Sequence, residues 1–274
     1  MRFVHVVALF ALATPVETEA ALLAADLGTT AYEERLKLVA GLPAIVLNSA
    51  DEAPARTLCE KLRNRGHDAM AADTAEVMPS AAMLAIRRFA FEPDALIEPD
   101  IEGARLPYDD ILALLRASHH TRTETRTETK GKQFSAGRAI LSGGLVMRKS
   151  VTRDEKSVST ERENVLYVFR ASGERPWLLR ERGAQYAGLG AALAPSSTLN
   201  FTTFITMLRK MAPSARYDER LVNARAAPTR MKHLGGGSSE SLAISSASGV
   251  DLLAHLLAQW FGGGARSSTR DEIR

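Results

Sequence analysis

The sequence predicts an α+β protein of two domains followed by a flexible tail. Three observations carry that reading. Short apolar runs alternate with amphipathic helical stretches over residues 1–77. Strand and turn signals dominate from residue 83 until one helix near 198–212. A Gly-Ser run at 235–239 then separates a last short helix from the rest. A chain of 274 residues fits two domains of about 100–200 residues each.

The first domain opens on Val4, Val6, Val7, Leu9 and Phe10, an apolar run that suits a buried strand. Met1-Arg2 and the same run, ending in Ala11-Leu12-Ala13, also read as a minimal export signal. The run is shorter than the usual ~15–30 residues and contains His5, so a strand in a cytoplasmic protein is expected. Thr14 and Pro15 suit an N-cap and first helical position, with Glu17 and Glu19 where the helix dipole favours acids. Gly28 ends that helix. A second helix over Tyr32–Val39 carries apolar Leu36, Leu38 and Val39. Pro43–Leu47 is a strand. Pro54–Arg65 is an amphipathic helix with Ala55, Leu58, Cys59 and Leu62 on one face, closed by Gly66, and Asp68–Ala72 is a third strand. The order β-α-α-β-α-β makes a two-layer unit.

Tyr32–Ala72 resembles the C-terminal domain of the bacterial ribosomal stalk protein, a fold shared by the Clp-protease adaptor. The likeness rests on a helix ending near Val39, a strand at Pro43, a helix start at Asp51-Glu52-Ala53, Leu58 and Leu62, and Gly66 before the last strand. The stalk domain's lysine-rich helix has no counterpart, because residues 17–27 are acidic and apolar. The resemblance implies a small fold used for docking protein partners, not a ribosomal role.

Met78–Ala82, with Pro79-Ser80, is a candidate linker. Beyond it, Phe89 and Phe91 lead into the turn Glu92-Pro93-Asp94, and Glu98-Pro99-Asp100 repeats that chemistry. Ile111–Ser118 reads as a strand. Thr121–Thr129 alternates Thr with Arg122, Glu124, Arg126 and Glu128, a period of two that signals a strand in an enlarged hairpin, residues 121–163. Ser142-Gly143-Gly144 is a tight turn. Val165–Phe169 and Pro176–Arg180 are strands around a turn at Gly173. Thr198 or Asn200 caps a helix bearing Phe201, Phe204, Ile205, Leu208 and Met211, and Pro213 ends it.

Residues 83–222 resemble bacterial pleckstrin-homology-like domains: a mainly antiparallel sheet closed by a helix. Phe89, Phe91, Leu106–Ile111, Val165–Phe169, Trp177-Leu178-Leu179 and the helix at 198–212 carry the likeness. It implies binding of proteins or anionic lipids, or a scaffold role. The basic loop of the lipid-binding members has no match here.

In the tail, residues 223–274, a helix over 250–261 presents Leu253, Leu256, Leu257 and Trp260 as an apolar face, with Asp251, His255 and Gln259 on another. So short a helix needs something to dock on: its own protein first, then another copy or a partner, for which that face is the candidate site, or a membrane surface, which its lack of Lys and Arg suits poorly.

Residues 1–118 hold 11 basic and 18 acidic residues, a net of −7, and residues 119–274 hold 24 and 14, a net of +10. The near balance overall argues against a dedicated nucleic-acid binder. Lys130, Lys132, Arg148, Lys149 and Arg153 form a candidate surface for an anionic partner, including a membrane. No phosphate loop, nucleophile elbow or H-E-x-x-H motif occurs. Gly188-Leu189-Gly190 lacks the third glycine and the βαβ setting of a dinucleotide loop and reads as a turn. His119-His120 have no local ligand partners and read as surface residues at a strand end. Asp109-Asp110, adjacent in a strand, would face opposite sides. Cys59, the one cysteine, reads as an inert core thiol. These residues predict a non-enzymatic interaction or scaffold protein with no metal or cofactor. A peripheral binder of anionic membranes is the alternative, and an unrecognised enzyme the second.

Overall fold

The computed structural model describes residues 4–134, 148–224, 229–234 and 239–264. It is α+β, with helices and several sheets arranged in two compact units. The first comprises Met1–His119, Glu163–Ala227 and Ala247–Arg274; the second comprises His120–Arg162 and Pro228–Ser246. The expected division into 1–77, 83–222 and a flexible 223–274 is therefore not where the chain parts.

The reason lies in the first strand. β1 (His5–Ala11) is the central strand of a three-stranded antiparallel sheet, between β2 (Ala44–Ser49) and β3 (Asp68–Asp73). Successive side chains point to opposite faces. Val7 and Leu9 pack with Leu23, Leu38, Leu58 and Leu62 of helices α1 (Val16–Leu27), α2 (Ala31–Val39) and α3 (Glu52–Asn64). Val6, Ala8 and Phe10 join a different core, shared with the second half of the chain and its C-terminal helix. A sheet apolar on both faces needs cover on both, so the two expected domains merge through it.

Local signals hold with small shifts. Gly28 takes the left-handed conformation that closes α1 (φ 67°), as a C-terminal glycine does. Helix α1 starts one residue later than expected: Pro15 is its cap, and the Thr14 hydroxyl is buried without a partner among the described residues. Buried Glu19 of α1 bonds His67 at 2.6 Å and Arg65 at 2.6 Å, tying α1 to the end of α3.

The second-half strands alternate in the same manner. Ala113, Leu115 and Ala117 of β8 (Ile111–Phe134), with Val165, Tyr167 and Phe169 of β9 (Arg148–Arg170), face the core of β1. Leu114, Leu166 and Val168 face a second core with Trp177 and Leu179 of β10 (Trp177–Arg180). Helix α4 (Ser197–Met211) covers that core with Phe201, Phe204, Ile205 and Leu208. Its cap is Ser196, whose hydroxyl accepts the Leu199 N–H; Asn200 instead bonds Ala194. The sheet is mixed, not wholly antiparallel. β4 (Leu84–Ile86) pairs parallel with β10, and β11 (Arg216–Leu221) parallel with β8. A separate antiparallel sheet holds β5 (Ala90–Phe91), β6 (Ala95–Ile97) and β7 (Arg105–Pro107), joined by the expected turns. Asp109 and Asp110 sit in a single 3-10 turn, not a strand, and Asp110 is held by Arg170 and Ser172.

Gly188-Leu189-Gly190 belongs to the 3-10 segment Tyr186–Ala192. A Cβ at Gly188 would lie 2.1 Å from the Phe89 carbonyl oxygen, so the backbones meet only because position 188 has no side chain. Gly188→Ala is expected to cost about 1–3 kcal/mol by overpacking, read as a lower urea midpoint. Phe89 would shift off Phe204, its edge-on neighbour at 4.6 Å.

In the second unit, Thr121–Thr127 of β8 pairs antiparallel with β13 (Ser239–Ser245), which pairs with β12 (Thr229–Leu234). The Thr-alternating segment is thus a strand, and Glu124 pairs with Arg122 and Lys156. Residues 142–144 and 235–238 lie outside the described residues. Among the described residues, no helix is long and apolar enough to cross a membrane.

Candidate functional site: a cavity walled by the second and last helices

Helix α2 begins with a reciprocal cap. The Thr30 hydroxyl accepts the Glu33 N–H, and the Glu33 carboxylate accepts the Thr30 N–H, which holds that carboxyl below its usual range. The helix turns Glu34 and Leu38, one turn apart, inward. The opposite stripe stays in solvent: Tyr32, Leu36 and Val39 are 66%, 53% and 60% exposed. Their i, i+4, i+7 spacing puts them on one face. Three large apolar side chains in a row on one short helix are unlike the single exposed residues common on surfaces.

At the end of α2 the chain turns through Gly41 (φ 107°) into β2, opening a cavity of about 410 Å³. Ala40, Leu42, Ala44 and Ile45 line one side. Gly249, Leu252 and Leu253 of the last helix, α5 (Ala247–Gln259), and Ala224 after β11 line the other. Lys37, Asn48, Arg220 and Asn223 add the polar groups. Size and mostly apolar lining match sites that take a small ligand or an anchoring side chain.

The two cations are oriented. Lys37 Nζ bonds both Glu34 oxygens at 2.8 and 2.9 Å, yet Glu34 is fully buried while Lys37 is 39% exposed. Arg220 is held by Asp218 at 2.7 Å and donates to the Phe10 carbonyl at 3.1 Å; its side chain is 35% exposed, Asp218 only 11%. In both pairs the carboxylate lies underneath and the cation outside. Both cations reach the cavity already paired, the Lys37 ammonium also meeting the Val46 carbonyl oxygen at 3.4 Å, so what they add to the lining is positive charge that an incoming carboxylate can share.

Helix α5 is held by a buried polar cluster. Tyr167 donates its hydroxyl to Asp251 at 2.6 Å, and the Ser80 N–H donates to the same carboxylate at 2.8 Å. His119 Nε2 meets the Tyr167 oxygen at 2.6 Å. One turn along α5, His255 Nδ1 bonds the Asp251 carbonyl at 2.9 Å, and its Nε2 accepts the Met78 N–H at 3.1 Å. Burial first, then the Asp251 charge, pushes the Tyr167 hydroxyl well above the usual phenol range, so it is a neutral donor. Burial pulls His255 below the usual histidine value, against the opposing pull of Asp251.

This places several expected residues. His119 is buried in that cluster and not at the surface; His120 is exposed. Met78–Ala82 is pinned to α5 through Met78 and Ser80 rather than serving as a free linker. Leu253, Leu256 and Leu257 lie inside the chain's own core, and Trp260 stacks on Phe10 at 5.1 Å, so this face is covered by the chain itself and not offered to a partner. Leu253 alone of the four also reaches the cavity. Cys59 is buried, and burial pushes its thiol up. Lys130 and Lys132 stand on β8, and Arg148, Lys149 and Arg153 on β9; their side chains lie outside the described residues.

Sequence reading missed the cavity because its walls come from segments some two hundred residues apart. Leu36 and Val39 are visibly apolar in the sequence, but nothing there separates them from buried Leu38. No protein-family model, curated protein or solved structure matches this chain.

Proposed function

We propose that this chain is a non-enzymatic docking protein whose cavity beside α2 takes an apolar side chain from an acidic segment of a partner protein. The observation that carries this is the pairing of an apolar cavity with two partly exposed cations in its lining, beside the exposed stripe Tyr32, Leu36 and Val39. The apolar anchor would fill the cavity, its acidic neighbours would meet Lys37 and Arg220, and the stripe would carry the flanking turns. The likeness of residues 32–72 to a docking fold supports the same role.

A random peptide library displayed on phage and selected on the immobilised full chain tests it. Selected peptides are expected to share one large apolar residue flanked by Asp or Glu, and to bind more weakly at high salt. Ala224→Phe, which fills the cavity, and Leu36→Asp, on the exposed stripe, should each weaken them about tenfold, or 1.4 kcal/mol. A library that yields no such motif, or peptides that bind both variants undiminished, overturns the proposal.

A further inference from the structure

We propose that His255 makes α5 a pH-sensitive latch: the neutral imidazole holds the helix, and the imidazolium loosens the wall that Gly249, Leu252 and Leu253 give the cavity. Its consequence for binding rests on the docking reading above; the latch itself does not.

The hydrogen bonds define the protonation state. Nε2 accepts the Met78 N–H, and Nδ1 faces the Asp251 carbonyl oxygen, so Nδ1 carries the proton. A ring that accepts at one nitrogen and donates at the other is neutral. Adding a proton to Nε2 sets one N–H against another at 3.1 Å and charges a ring that is only 9% exposed.

The surroundings offer little compensation. From α5 itself, Asp251 is the nearby negative charge, and its two carboxylate oxygens already accept from Tyr167 and Ser80. From β9 come the Tyr167 hydroxyl and the Phe169 ring, edge-on to His255 at 5.0 Å. From β8 comes His119, 4.0 Å from Asp251. From the segment after β3 come the two backbone donors, and Glu76, which bonds Gln259 one turn beyond His255.

The sign follows from where the proton binds better. The unfolded ring protonates near the ordinary value of about 6.5, and the folded ring does so only at lower pH. The contribution of His255 to holding α5 is thus complete above that value and shrinks as pH falls below it. The opening constant of α5 should rise by up to about tenfold between pH 7.5 and 5.5.

Hydrogen exchange of residues 247–259 in the full chain, corrected for intrinsic rates, reads that constant. The chain has six histidines, so His255→Gln is the comparison: neutral at every pH, and able to accept from Met78. The wild type should gain the tenfold opening, and His255→Gln should not. Equal pH dependence in both overturns the latch. If the variant does not fold, NMR titration of the His255 ring in the wild type decides: the latch requires proton uptake to coincide with lost protection of α5, and uptake without that loss overturns it. Binding of a selected peptide at pH 5.5 should weaken only in step with the fraction of chains whose α5 is open. A pH-dependent α5 with no peptide binding at pH 7.5 upholds the latch and removes the docking reading instead.

Discussion

A chain ending at Ser246 is expected to lose its cooperative urea transition. Helix α5 places Val250, Leu253, Leu256 and Leu257 in the core that faces Val6, Ala8 and Phe10, each nearly or fully buried. Four such side chains, at about 1.5–3 kcal/mol each, supply about as much as the ~5–15 kcal/mol that holds a domain together. Their removal also bares one face of the β1 sheet, so the truncated chain should bind hydrophobic dyes. A milder form, Leu257→Ala, should cost about 2–5 kcal/mol through the cavity it leaves. A truncated chain with an unchanged urea midpoint would mean that α5 is the free tail its flanking glycines suggest.

The second large effect belongs to Asp251. Asp251→Ala strands two buried donors, the Tyr167 hydroxyl and the Ser80 N–H. Unmet buried donors cost about 1–3 kcal/mol each, so a loss of about 3 kcal/mol is expected in urea unfolding. Tyr167→Phe in turn takes the hydroxyl away from one Asp251 oxygen and from His119 Nε2, so it should cost a similar amount. In the Asp251→Ala background it should cost less, because the carboxylate it would strand is already gone and the hydroxyl it deletes is already without its acceptor. Strict additivity of the two changes would show that they do not form one network.

The first 73 residues were legible almost element by element, because each signal there is local. Gly28 and Gly66 mark chain reversals with positive φ, and α3 shows its buried face in the spacing of Ala55, Leu58, Cys59 and Leu62. The strand over Thr121–Thr127 of β8 is legible from threonine alternation. What escaped was pairing over distance. Val4–Phe10 suits a buried strand, but only tertiary structure shows that both its faces meet apolar partners from opposite ends of the chain. Helix α5 carried its own clue. Val250, Leu252, Leu253, Ala254, Leu256, Leu257 and Ala258 leave almost no polar side, the pattern of a helix buried all round. Read so, Asp251 and His255 become buried polar groups in need of partners, and Met78–Ala82 and Tyr167 supply them. The glycine runs on either side give the opposite signal, that of a tethered tail.

The candidate site was less legible, since neither wall is a motif. Lys37 and Arg220 look like ordinary surface charges until Glu34 and Asp218 are seen beneath them. The exposed stripe of α2 differs from its buried side by a single step along the helix, between Leu38 and Val39.

Methyl NMR of the full chain, titrated at pH 7.5 with a selected apolar-acidic peptide, tests the docking cavity most directly. The largest shifts should fall on Ile45, Leu42, Leu252 and Leu253 within the cavity, and on Leu36 and Val39 beside it. Shifts confined to exposed methyls elsewhere, such as Ile101 or Leu199, would contradict it.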